Sequence, residues 1–165
     1  MESKPKLKVE LSAMDKIIEM IGWMILLIIW ILTLLNFTKM PDTIPIHFNF
    51  SGQADNFGSK WTILTFPVFG TVLYVGLTIL NKFPHIFNYP TKITPENALQ
   101  KYIIATRMIR FLKLGLMLIF SIITYLMIYT IDGKSAGLGV WFLPFSLGII
   151  FIPMLYFLIK SFRNK

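Results

Sequence analysis

The chain has 165 residues, of which 55% are hydrophobic and 15% charged, and its formal net charge is +8 at pH 7. A soluble domain of this size needs more polar surface, so the composition indicates a protein whose main solvent is lipid. Cysteine is absent, which excludes disulfides, cysteine nucleophiles and cysteine-ligated metal sites. The positive charge does not indicate direct nucleic-acid binding, because the basic residues flank apolar segments, as membrane topology requires.

Four apolar segments predict transmembrane helices. They lie at 17–37 and at approximately 62–80, 114–131 and 140–159, and each is about the length that a helix needs to cross a bilayer. Ser12 followed by Asp15 resembles a capping box, which places the start of the first helix just after Ser12. The expected fold is therefore an all-α membrane protein with a bundle of four transmembrane helices.

The four segments divide the chain into parts with different roles. We expect an N-terminal tail (1–16), a two-helix unit (17–80) whose helices are joined by a structured loop (38–61), a connector with a helix extension (81–113), and a second helical hairpin with a basic C-terminal tail (114–165).

The basic residues predict the orientation of the bundle. Only three of them lie in the loops between spans one and two or between spans three and four: Lys39, Lys60 and Lys134. The other thirteen lie in the N-terminal tail, between spans two and three, or after span four: Lys4, Lys6, Lys8, Lys16, Lys82, Lys92, Lys101, Arg107, Arg110, Lys113, Lys160, Arg163 and Lys165. Since basic residues accumulate on the cytoplasmic side, both termini are expected inside and the loop 38–61 outside.

The interiors of the predicted spans contain no Asp, Glu, Lys, Arg or His, and Glu19 lies near the cytoplasmic edge of the first span. Ion pathways and proton relays usually place such residues deep in the membrane. The bundle is therefore interpreted as a scaffold rather than a transporter or channel.

The outer loop begins with a segment that favours extended structure. Pro41 and Pro45 disfavour helix at the residues before them. Ile46, Phe48 and Phe50 then alternate with polar residues, which predicts a short strand with one apolar face. The loop is expected to form a short hairpin or cap whose apolar edge rests on the helix ends.

Glycines and polar side chains predict the turns of this loop. Gly52 and Gly58 are expected at turn positions with positive φ. Asn49, Asp55 and Asn56 can hydrogen-bond to nearby backbone groups, as such residues do in turns.

His47 raises the question of chemistry in the outer loop. With Asp42 and Asp55 it could form a metal site of nitrogen and oxygen ligands, or it could act as a general base. However, the only other histidine, His85, is predicted on the opposite side. We therefore expect no metal, cofactor or catalytic residue, and a metal-dependent enzyme centred on His47 and Asp55 stays open as the alternative.

The types and spacing of ten outer-loop residues resemble the motif of a bacterial membrane domain family of unknown function. That domain also occurs at the start of SdpI-type toxin-immunity proteins. The residues that carry the resemblance are Pro41, Ile44, Pro45, His47, Phe48, Asn49, Gly52, Asp55, Gly58 and Lys60. It covers roughly 17–80 and, more loosely, 87–102. The resemblance implies a multi-pass protein of the bacterial cytoplasmic membrane, with a role in immunity to a toxin or in sensing it. This chain has four predicted spans where the SdpI-type proteins have six.

The inner connector predicts a helix start and a basic surface. Thr94 as N-cap and Pro95 at the first helical position indicate a helix that continues into the third span. Arg107, Arg110 and Lys113 are expected to face anionic lipid at the membrane surface. A docking surface for a cytoplasmic regulator is the alternative role for these three side chains.

The sequence thus predicts a non-enzymatic membrane protein of sensor or immunity type. The ten motif residues of the outer loop are its candidate recognition element, and a peptide, toxin, lipid or other envelope component is the expected partner. The alternatives are the metal-dependent enzyme and a structural subunit of an envelope complex.

Overall fold

The computed structural model of the protein describes residues 4–163. In chain order, it contains helix α1 (Ala13–Phe37), strands β1 (Thr43–Phe48) and β2 (Ala54–Ser59), and helices α2 (Thr65–Leu80), α3 (Ala98–Ile131) and α4 (Phe142–Arg163). A 3-10 turn (Lys60–Leu64) leads directly into α2, and a second one (Pro84–Ile86) follows it.

Four helices of this bundle are long and apolar enough to cross a membrane: α1, α2 together with its preceding 3-10 turn, α3 and α4. This confirms the predicted bundle, and the chain is a multi-pass membrane protein. α3 contacts each of the other three helices, whereas α4 packs chiefly against α3. Because consecutive helices run in opposite directions, the two strands and the α3–α4 loop lie together at one end, here called the hairpin end. The termini and the connector 81–97 lie at the other, the basic end.

The helix starts differ in how well the sequence predicted them. At α1 the capping box is present: the Asp15 amide donates to Ser12 Oγ at 3.2 Å, and the Ser12 amide donates to Asp15 Oδ2 at 3.0 Å. α3 begins at Ala98 rather than at the predicted Pro95. The Thr94 amide donates to Asn97 Oδ1 at 3.0 Å, and the Ala98 amide donates to the Thr94 carbonyl at 3.0 Å. These bonds close a separate turn before the helix.

Two apolar clusters stabilise the bundle. The first, in the middle, brings Leu26 and Ile29 of α1 against Tyr74 of α2 and Met117 of α3. The second lies at the hairpin end and joins Met40, Ile44, Ile63 and Met127. The hairpin is therefore held by the same apolar packing that holds the helices.

Candidate recognition site at the hairpin end

The tip of the hairpin is a turn organised by Asn49. Its Oδ1 accepts hydrogen bonds from the amides of Ser51 and Gln53, at 2.9 and 3.0 Å, and its carbonyl accepts from the Gly52 amide at 2.8 Å. Gly52 has a φ of +73°, a backbone conformation in which a side chain is disfavoured. The predicted turn roles of Asn49 and Gly52 are confirmed.

The hairpin docks on the bundle through Ile44. This side chain is fully buried against Met40, Ile63 and Met127, and burial of this kind stabilises by about 2 kcal/mol. Next to it, Pro45 is also buried, while Pro41 is exposed in the segment that leads from α1 into β1.

The prediction that Ile46, Phe48 and Phe50 form one apolar face against the helix ends is wrong. Ile46 is exposed, Phe48 is half-buried, and Phe50 in the turn is 92% exposed. The register of β1 against β2 shifts between Pro45 and His47 and again between His47 and Phe48. Regular alternation of faces is lost where an extra residue enters a strand, so the buried contact is made at Ile44 and Pro45 instead.

Gly58 also differs from its predicted role. It lies within β2 opposite Ile44 and has no positive φ. A Cβ at this position would come within 2.7 Å of Ile46 Cδ1. The glycine therefore allows the Ile46 side chain to cross over β2, and it does not form a turn.

The hairpin is joined to the α3–α4 loop by backbone hydrogen bonds. The Gly52 carbonyl accepts from the Leu138 amide at 2.6 Å and from the Gly139 amide at 3.4 Å, and the Ala54 amide donates to the Ala136 carbonyl at 3.4 Å. Gly137 and Gly139 both have positive φ, and a Cβ on Gly137 would collide with the Gly52 carbonyl oxygen. The sequence analysis did not identify this contact, although the glycines of "SAGLGV" were its signal.

Three motif residues, His47, Asp55 and Lys60, take part in two side-chain pairs, and Asp42 completes the second pair. His47 Nδ1 lies 2.5 Å from Asp55 Oδ1, and both side chains are well exposed. Lys60 Nζ lies 2.9 Å from Asp42 Oδ1, and the Lys60 amide also donates to the Asp42 carbonyl at 2.9 Å. Lys60 holds the pKa of the Asp42 carboxyl below its ordinary value, through a hydrogen bond and through its charge.

This pairing separates the residues that could have shared a metal ion. Asp42 is engaged by Lys60, and only Asp55 contacts His47. Within residues 4–163, no group of three or more His, Cys, Asp or Glu side chains is arranged to hold a metal ion. A carboxylate oxygen accepts hydrogen bonds, so Asp55 Oδ1 accepts from His47 Nδ1, and this contact orients the imidazole ring.

A cleft of about 360 Å³ lies between the hairpin and the beginning of α4. His47 and Asp55 form its polar side, together with Asn49. Its apolar wall comes from the hairpin, the α3–α4 loop and the beginning of α4: Phe48, Phe50, Leu138, Phe142 and Leu143. The joined loops thus form one concave surface that combines aromatic and aliphatic groups with one carboxylate and one imidazole.

Comparison with known proteins gives a match to the part of the chain that contains the hairpin. A family described as "Domain of unknown function (DUF1648)" matches residues 24–71. The match therefore covers most of α1, the whole hairpin and the beginning of α2, including all ten motif residues. The protein is an integral membrane protein, and its residues 24–71 are similar to this domain of unknown function.

One relative is similar to part of the chain. An uncharacterized protein of Archaeoglobus fulgidus is 31% identical over 71 residues, which cover 38% of this chain and 39% of that protein. The chain thus spans about two fifths of the length of the relative that it matches. No solved structure gave a significant match.

The predicted lipid-facing position of the basic residues on α3 requires correction. Arg110 and Lys113 are only 4% and 1% exposed, because they point into the bundle toward carboxylates of α1. Lys113 Nζ lies 2.7 Å from Glu19 Oε2, and Arg110 Nε lies 3.4 Å from Glu19 Oε1. Arg107 is partly exposed but pairs with buried Asp15 at 2.9 Å.

The acidic partners of this cluster were not recognised as such in the sequence. Asp15 was assigned only a capping role, and Glu19 lay at the edge of the first span. A charge buried at such a position is costly unless it has partners. Two carboxylates spaced one helical turn apart at the start of an apolar helix are the signal that could have predicted basic partners on a neighbouring helix.

Proposed function

We propose that this protein is a non-enzymatic receptor of the sensor or immunity type, which lies in the cytoplasmic membrane with its hairpin end outward. Its ligand is an amphipathic cationic peptide that binds in the cleft between the hairpin and α4. The observation that carries the proposal is the single concave surface made by two joined outer loops, with aromatic walls and the Asp55 carboxylate at its side.

The chemistry of the cleft favours such a peptide over other ligands. A volume of about 360 Å³ is at the small end of the range for ligand sites, roughly 300 to 1,000 Å³, and accepts one or two large side chains. The exposed ring of Phe50 offers an apolar anchor at the rim. Asp55 has remaining lone pairs after it accepts from His47, so its carboxylate can still accept from an ammonium or guanidinium group.

The fold supports recognition by a preformed surface. The hairpin is fixed on one side by buried Ile44 and on the other by the hydrogen bonds of Gly52 to the α3–α4 loop. A surface held in this way loses little conformational entropy on binding. The resemblance of the ten motif residues to the first part of SdpI-type immunity proteins agrees with a role in toxin immunity or sensing.

Protection of cells is the direct test of this function. The protein is expressed in a sensitive bacterium, and growth is measured against a panel of cationic amphipathic peptides that disrupt membranes. The wild type is expected to raise the inhibitory concentration of at least one peptide about tenfold, and Asp55→Asn is expected to abolish the effect.

Asp132→Asn is the matched control, because Asp132 is an exposed carboxylate of the α3–α4 loop that pairs with Lys134 outside the cleft. It should protect like the wild type. Absence of protection against every peptide, or equal loss in the two variants at equal membrane abundance, would contradict the proposal.

A second candidate function rests on the contact between His47 and Asp55. A carboxylate that orients an imidazole is the arrangement found behind general bases and metal-binding histidines. A metal-dependent enzyme would require about one transition metal ion per purified chain, lost in His47→Ala. Elemental analysis of both proteins in mild detergent decides this point.

A further inference from the structure

A groove of about 460 Å³ runs between α3 and α4 on the side of the bundle that α1 and α2 leave uncovered. Its wall on α3 extends from Phe111 to Leu118, and its wall on α4 includes Gly148 and Ile152. All of its lining side chains are apolar. Gly148 makes the groove deep, because a Cβ there would meet only Ile152 Cδ1, at 3.7 Å.

The helical repeat extends both walls of this groove to the basic end. On α3, Arg107 lies one turn before Phe111, and on α4, Tyr156 and Lys160 continue the face that begins with Ile152. Lys160 Nζ lies 5.8 Å from the centroid of the Tyr156 ring. Each wall of the groove therefore carries one basic residue toward the basic end of the bundle, where lipid headgroups lie.

At the basic end of the groove, cationic side chains outnumber carboxylates. Asp15 and Glu19 are the two carboxylates of the buried cluster, and they face three cations, Arg107, Arg110 and Lys113. Arg107 uses Nε and Nη2 for Asp15 and Ser12, and its Nη1 has no hydrogen-bond partner within residues 4–163. Lys160 likewise has no carboxylate partner in that part of the chain.

We propose that the α3–α4 groove is a binding site for one anionic phospholipid. An acyl chain occupies the apolar groove, and the phosphate accepts hydrogen bonds from Arg107 Nη1 and from Lys160. Charge complementarity selects this occupant over a zwitterionic lipid, since a choline headgroup would offset the phosphate charge. This site lies at the end of the bundle opposite the recognition cleft and does not depend on the function proposed there.

Native mass spectrometry of the detergent-purified protein tests the site. The probes are phosphatidylglycerol and phosphatidylcholine with the same acyl chains, added at equal concentrations. The wild type is expected to retain one phosphatidylglycerol and to bind it at least fivefold more tightly than phosphatidylcholine. Lys160→Gln should lose about fivefold in phosphatidylglycerol affinity, which is the factor expected for one basic residue at a lipid surface. It should lose less in phosphatidylcholine affinity, because the choline group offsets the phosphate charge.

Two controls separate a defined site from general attraction to the membrane surface. Lys82→Gln removes the same charge from the basic end at an exposed position outside the groove, and it should bind like the wild type. Gly148→Leu fills the groove and should weaken binding of both lipids. Gly76→Leu adds the same volume on α2, where a Cβ meets nothing within 4 Å, and should have no effect.

Equal retention of the two lipids by the wild type would overturn the proposal. The same conclusion follows if Lys82→Gln loses as much phosphatidylglycerol affinity as Lys160→Gln, or if Gly148→Leu binds both lipids like Gly76→Leu. Thermal unfolding of each variant shows that it is folded before its affinity is compared.

Discussion

Lys113 of α3 donates hydrogen bonds to both oxygens of the Glu19 carboxylate of α1, at 2.8 and 2.7 Å. The same ammonium group donates to Thr78 Oγ1 of α2 at 2.6 Å and lies 4.4 Å from the centroid of the Tyr74 ring. Tyr74 in turn donates to the Glu19 carbonyl at 2.8 Å. One buried pair thus connects three helices near the basic end of the bundle.

Removal of the Glu19 charge should destabilise the protein strongly. Glu19→Gln leaves buried Lys113 without a carboxylate partner and leaves Arg110 only Asp15, at 3.7 Å. Loss of one partner from a buried pair typically costs about 3 kcal/mol. Unfolding in mixed detergent micelles measures this difference. Glu10→Gln removes an exposed carboxylate of the N-terminal segment and should change stability by less than about 0.5 kcal/mol.

The double variant tests whether the effect comes from the pair. Lys113→Met should cost less in the Glu19→Gln background than in the wild type, with a coupling of about 1 kcal/mol or more. Strict additivity of the two substitutions would show that Lys113 and Glu19 do not interact in the membrane protein.

The contact between the hairpin and the α3–α4 loop predicts different effects at two glycines with the same backbone conformation. Gly52 and Gly133 both have a φ of +73°, so alanine at either position costs about 1 kcal/mol in backbone energy. At Gly133 a Cβ meets nothing within 4 Å, whereas at Gly52 it would collide with the backbone of Gly139. Gly52→Ala should therefore lower the unfolding temperature clearly more than Gly133→Ala, and equal decreases would show that the loops are not joined.

The sequence predicted those features that depend on neighbours along the chain. The apolar segments, the Ser12 and Asp15 capping box and the turn at Asn49 and Gly52 each depend on residues a few positions apart, so local pattern contains the necessary information. The faces of β1 were predicted wrongly because the register shifts after Pro45, and a strand irregularity depends on the partner strand.

Features that depend on tertiary packing could not be predicted from the sequence. Arg107 and Asp15 are 92 positions apart, and Lys113 and Glu19 are 94 positions apart. Basic residues next to an apolar span have the same local pattern whether they face lipid or a neighbouring helix. Only the packing of α3 against α1 distinguishes these two cases, and it also brings Leu138 to Gly52 and completes the cleft.

The pair of Asp42 and Lys60 predicts a dependence of stability on pH. The pKa of Asp42 is lowered from 3.8 in the folded protein. A group with a lowered folded pKa contributes stability above its unfolded pKa and loses it as the pH falls through the folded value. Asp42→Asn should therefore be slightly less stable than the wild type at pH 6, and the difference should diminish as the pH falls below the ordinary value of 3.8. A difference that is unchanged across this range would contradict the pairing.

Single cysteines test the orientation of the bundle, because the natural chain has none. Ser51→Cys at the hairpin tip should react with a membrane-impermeant maleimide in intact cells, and Glu96→Cys in the connector should react only after the cells are opened. Both positions are exposed. The opposite labelling pattern would place the recognition cleft in the cytoplasm.

Photocrosslinking tests most directly whether the cleft binds a cationic amphipathic peptide. Benzoylphenylalanine replaces Phe50 at the rim of the cleft or, as the control, exposed Phe57 of β2, which does not line it. The purified proteins are irradiated with a fluorescent cationic amphipathic peptide. We expect a crosslink from position 50 that excess unlabelled peptide prevents and that Asp55→Asn abolishes, with little from position 57. Equal crosslinking from the two positions, unaffected by competitor or by Asp55→Asn, would contradict recognition at this cleft.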